Sequence, residues 1–248
     1  MPTALLVPET ALLVPGASGR TPVLARVGAA ALAAARRLVA DAPGRVVVVG
    51  PAARSRTADA ATLCASLAPL GVAERHLGWP APCCGRSGEH VDGATRAAPA
   101  TAVGLRLLAA AGWAGPTTAV ELGPDGAVPD GEVPDGEVPD AAADPAVSLL
   151  VLGSLSARRD ESSPRAADPR AIPLDARLAA DLARPTPDAR ARLRELDPAL
   201  AAELGVSGAA PWGFLARRVE GRDVAGHEEA AELALGVDYR VVTWRWSA

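Results

Sequence analysis

The chain contains no lysine, asparagine or glutamine, and only one residue each of isoleucine (Ile172), tyrosine (Tyr239), phenylalanine (Phe214) and methionine (Met1). With lysine absent, every basic side chain is arginine. An alphabet this narrow reflects GC-rich coding, so arginine content by itself says nothing about phosphate or nucleic acid. The net charge of −4 excludes a polyanion partner of the usual kind, which needs a basic face. Cysteine is scarce: Cys64, Cys83 and Cys84. An odd count with two neighbours is no disulfide framework, and a reducing cytoplasm is the expected setting. No run of about 20 apolar residues occurs, which excludes a helical membrane span. The amino end lacks a basic segment, and Pro8, Glu9 and Pro15 interrupt its apolar residues, so no signal peptide is expected.

What is present points to a soluble α/β protein. The 248 residues are 49% hydrophobic and 22% charged, enough to bury a sizeable core without staples. Thr3–Val7 and Thr117–Leu122 read as strands. Arg45-Val-Val-Val-Val49 and Val147–Leu152 are apolar without alternation, the mark of parallel strands buried on both faces. Helices are expected at Val23–Ala40, Ala58–Leu67, Ala100–Ala111, Leu174–Ala183, Asp188–Leu196, Pro198–Leu204 and Pro211–Val219. His227-Glu228-Glu229 reads as the start of an acidic helix. Tyr239–Trp246 alternates like a half-exposed strand at a sheet edge. Between residues 123 and 145 lies a low-complexity loop of repeated Pro-Asp-Gly turns, read as solvated. The chain is otherwise read as one domain, residues 1–248.

Common motifs fail. Gly50-Pro51-Ala52-Ala53-Arg54 follows a strand but has neither dinucleotide nor P-loop spacing. Gly153-Ser154-Leu155-Ser156-Ala157 lacks the second glycine of a nucleophile elbow, which leaves a hydrolase as a minor alternative. Cys83, Cys84 and His90 lack the paired spacing of a zinc site, and loop thiols are the simpler reading. His76 and His227 read as surface residues.

An ordered set of segments is more specific. Leu5-Leu-Val-Pro-Glu-Thr-Ala-Leu-Leu-Val-Pro-Gly16 is followed by Val46-Val-Val-Val-Gly-Pro51 and by Ala102–Leu108 leading to Ala111-Gly-Trp113. Then come Leu152-Gly-Ser154, Ser156-Ala-Arg-Arg159, Asp168-Pro-Arg170, Leu196–Leu204, Gly208-Ala-Ala-Pro-Trp212 and Gly236-Val-Asp-Tyr239. Together these resemble the class III extradiol ring-cleavage dioxygenase family over nearly the whole chain. The resemblance implies an α/β fold with a mostly parallel or mixed central sheet flanked by helices. It also implies a family site of two His and one Glu on Fe(II), with a further His moving protons; such a donor set leaves positions open for catecholate and O2.

This chain departs from that pattern. Where the family's histidines belong it has Pro8-Glu9-Thr10, Gly50–Arg54 and Ser154–Arg158. The expectation is therefore a dioxygenase-like scaffold without its Fe(II) centre or any other cofactor, binding a small aromatic or anionic molecule or a protein. The pocket candidates are Glu9, Gly50, Pro51, Ser154, Ser156, Arg158 and Asp238, with Arg158 or Arg159 as the anion holder. Glu9 with Asp238 would suit a hard cation, although an ordinary turn carboxylate is the simpler reading. Two alternatives stand: an active Fe(II)-dependent ring-cleavage enzyme with atypical ligands, and an interaction subunit or homo-oligomer using Trp244 and Trp246 on an edge strand. No nucleic acid and no membrane enter any of these readings.

Overall fold

The computed structural model describes residues 1–41, 44–82, 95–127, 144 and 146–247. The first strand, β1 (Thr3–Val7), leads to α1 (Ala25–Asp41), and β2 (Arg45–Pro51) follows. Three short strands come next: β3 (Arg56–Asp59), β4 (Leu63–Cys64) and β5 (Thr95–Arg96). Then come α2 (Pro99–Ala110), β6 (Thr117–Leu122) and β7 (Val147–Leu152). Four helices follow, α3 (Ala171–Ala183), α4 (Pro187–Arg194), α5 (Pro198–Leu204) and α6 (Ala209–Arg218), before the hairpin of β8 (Val224–Ala234) and β9 (Val237–Trp246).

Seven strands form one mixed sheet in the order β3-β6-β2-β7-β1-β9-β8. Its centre, β6-β2-β7-β1, is parallel. Strands β3, β9 and β8 extend it antiparallel on either side. The valine run explains the centre. Val46 and Val48 enter the core under α1 and α2, while Val47 and Val49 enter the core under α3 and α6. A strand whose two side-chain rows are both buried must lie between two helical layers.

Three expectations are overturned. Residues 58–67 form no helix: β3 pairs with β6, and the Asp59 carboxylate accepts the Ala61 N–H to start a 3-10 turn at Ala60–Thr62. Alanine content favoured a helix, but pairing along the sheet edge wins. His227–Glu229 belongs to β8, not to a helix, because it pairs with β9 over ten registered positions. Strand β9 lies inside the sheet between β1 and β8; Trp244 and Trp246 are buried, at 0% and 1% exposure. Its alternation divides one core from the other, with Val237, Tyr239 and Val241 on one side and Val242, Trp244 and Trp246 on the other. Those tryptophans therefore offer no surface to a partner.

Cys64 is disulfide-bonded, which corrects the expectation of free thiols there. Cys83, Cys84 and His90 lie outside the described residues, as does nearly all of the 123–145 repeat. No described helix is long and apolar enough to cross a membrane.

The fold places a crevice. The chain leaving β1 turns to α1 on one face, whereas the chain leaving its neighbour β7 turns to α3 on the other. Where adjacent parallel strands send their connections to opposite faces, the loops part and leave room beyond the carboxyl ends.

Candidate functional site

Glu9 and Ser154 follow β1 and β7 and meet at that parting. The Ser154 hydroxyl donates to Glu9 Oε2 at 2.5 Å. A third residue joins them from the turn before α6: the Ser207 hydroxyl donates to Glu9 Oε1 at 2.6 Å and accepts the Ser154 N–H at 2.9 Å. Both carboxylate oxygens are thus engaged by hydroxyls. Close approach makes this possible: a Cβ at Gly153 would lie 2.4 Å from the Gly208 Cα, so only glycine lets the β7 loop touch the start of α6. Burial pushes the nearby Tyr239 phenol upward, and the charge of Glu9 adds to the shift.

Beside this cluster, outside β2 and β6, an apolar cleft of about 270 Å³ opens. Pro51 and Leu122 supply its sheet side, and Pro198, Ala201 and Val206 its helical side. Ser207 reaches it from the Glu9 cluster. Its one cationic lining residue is Arg165, which donates to the Ala202 carbonyl at 3.0 Å. Ala209 and Ala210, the first residues of α6, also line the cleft, and their N–H groups have no hydrogen-bond acceptor among the described residues. Free amides at a helix start carry partial positive charge. The cleft therefore joins an apolar wall to a mouth holding a guanidinium, a hydroxyl and a helix amino end.

The expected site residues divide accordingly. Glu9 and Ser154 come together, and Pro51 lines the cleft. Gly50 lies under the start of α2, where a Cβ would meet Ala100 Cβ at 3.1 Å. Ser156 is fully buried: its hydroxyl donates to the Leu204 carbonyl at 2.9 Å and its N–H donates to Asp175 at 2.8 Å. Arg158 donates to the backbone carbonyls of Ala166 and Glu203, and Arg159 turns to Asp175. Asp238 is held by the Arg240 guanidinium at 2.8 and 3.1 Å; the two line a cavity of only about 10 Å³ with Ser154 and Trp212. Ser207 and Arg165 were missed. A signal existed for Ser207, since Val206-Ser-Gly208 precedes a helix; none marked Arg165 among the many arginines.

A ring-cleavage iron needs three donors at one point. Among the described residues no three His, Cys, Asp or Glu side chains assemble into a set that could hold a metal. His76 and His227 are exposed, and Glu9 is saturated by serines. These residues do not fit the iron centre that the resemblance implies.

No protein-family model and no curated protein matches the chain. Among solved structures, the uncharacterized protein JW3007 from Escherichia coli K12 is similar over 98% of this chain and 99% of that chain, with 11% sequence identity and a TM-score of 0.47.

Proposed function

We propose that this chain is a class III extradiol dioxygenase-like protein that binds a small carboxylate with an apolar or aromatic body, without ring-cleavage chemistry. The observation that carries this reading is the cleft: an apolar wall for the body, with Arg165, Ser207 and the open amides of Ala209 and Ala210 for the anion. A carboxylate bridging a guanidinium fork and helix N–H groups makes charge-assisted bonds at both oxygens. Glu9 has a positioning role, fixing the Ser207 hydroxyl through its 2.6 Å bond.

The test uses 3,4-dihydroxybenzoate, which suits both binding and ring cleavage. Calorimetry should show saturable binding that Arg165→Gln weakens about tenfold. After anaerobic Fe(II) addition, admitting O2 should give no ring-opened product. Oxygen uptake with ring opening would establish the iron-enzyme alternative instead, and unchanged binding in Arg165→Gln would remove the cleft from the account.

A further inference from the structure

The opposite end of the sheet carries a second concave surface with different chemistry. Strand β8 begins there: Val224 pairs with Trp246, whose N–H reaches the Pro2 carbonyl beside the start of β1. Two adjoining cavities, of about 230 and 360 Å³, share Pro187, Arg190 and Arg222 as walls.

Arg190 is the informative residue. It projects from α4 and is only 6% exposed. One of its N–H groups donates to the Arg222 carbonyl at 2.9 Å. Among the described residues it makes no other hydrogen bond, and no carboxylate lies within ion-pair distance of it. Its remaining N–H groups are not sealed in: among the described residues, the fully enclosed side-chain polar atoms without partners are Thr57 Oγ1, Thr101 Oγ1 and Trp246 Nε1. They face the cavities instead.

The surroundings are cationic. Arg194, one turn along α4, lines the smaller cavity and pairs with Glu220. Arg184 lines the larger one with Asp223. Four arginines and two carboxylates border the pair of cavities, so two positive charges are left over. Burial, and then the like charge of Arg194, both disfavour the Arg190 cation. A nearly buried guanidinium with open donors and like-charged neighbours calls for an anion. A surplus of two charges matches a dianion, and the planar fork matches phosphate oxygens two at a time.

We propose that Arg190, with Arg194 and Arg222 beside it, forms a binding site for a phosphate group, either free or as a monoester. The site lies at the far end of the sheet from the carboxylate cleft and is independent of it.

The full-length chain should be titrated with inorganic phosphate and with ribose 5-phosphate, against chloride at equal ionic strength. The expected result is saturable one-site binding, with the thermal midpoint raised by a few degrees by phosphate and not by chloride. Arg190→Gln should weaken binding about tenfold or more, whereas Arg165→Gln, at the other end, should leave it unchanged. If Arg190→Gln fails to fold, Arg194→Gln supplies the same comparison through a partly exposed residue. Tighter binding of the sugar phosphate assigns the site to monoesters, and binding of inorganic phosphate alone assigns it to the free ion. No saturable binding of either ligand, or binding indifferent to the Arg190 and Arg194 substitutions, overturns the proposal.

Discussion

Two neighbouring places at the carboxyl edge of the sheet have been built in opposite ways. Between β1 and β7, Glu9, Ser154 and Ser207 satisfy one another, and the adjoining cavity is about 10 Å³. Outside β2 and β6, a cleft of about 270 Å³ keeps its donors open. The switch point, where this class of sheet places chemistry, is closed; the room for a ligand lies beside it. A polar cluster that uses up its own hydrogen-bonding capacity contributes stability and orientation. One that leaves capacity unused can recognise something else.

The largest effect on this contrast should come from Gly153→Val. A side chain there meets the Gly208 backbone, so the β7 loop and α6 must separate. The expected loss is about 3 kcal/mol in chemical denaturation, with loss of ligand binding. An unchanged midpoint would mean that the close approach does not hold the closed place together.

Glu9→Ala comes next. It leaves the Ser154 and Ser207 hydroxyls without their acceptor, at a cost of about 2 kcal/mol, whereas Glu9→Gln keeps an acceptor and should cost less. Equal losses in the two variants would show that packing, not hydrogen bonding, sets the role of Glu9.

A third prediction concerns pH. Burial pushes the Asp175 carboxyl above its ordinary value of 3.8, against the lowering pull of the Ser156 N–H and Arg159. The folded state then holds its proton more tightly than the unfolded state does. That contribution is fully present below 3.8 and is lost as pH rises through the raised folded value. Asp175→Asn should therefore flatten the stability profile above pH 3.8, measured by urea unfolding at successive pH values. Identical slopes in variant and parent would contradict this account of the buried carboxyl.

The smallest effect on stability is expected from Ala202→Trp. Ala202 is exposed at the rim of the open cleft, so stability should change by no more than about 0.5 kcal/mol while the ligand is blocked.

The parallel centre was legible in the sequence because apolar runs such as Val46–Val49 report burial on both faces directly. The flanks were not. Residues 58–67 and 227–229 have alanine and glutamate contents that favour helix, but they pair with β6 and β9, partners distant in sequence. The same distance hid the burial of Trp244, whose indole N–H donates to the Leu182 carbonyl at 2.7 Å. For the site, turn chemistry after the strands located Glu9, Pro51 and Ser154, since strand ends are local signals. Ser207 comes 53 residues after Ser154, and only the folded chain brings them together. Arg158 stood out in the sequence as an anion holder, but it spends its donors on carbonyls, and Arg165 is the arginine that lines the cleft.

The most direct test of this contrast is a calorimetric titration of 3,4-dihydroxybenzoate into two variants, Ala202→Trp and Glu9→Gln. Binding should vanish in Ala202→Trp and stay within about threefold of the parent in Glu9→Gln. Binding that survives Ala202→Trp and vanishes in Glu9→Gln would put the ligand at the switch point and contradict the account.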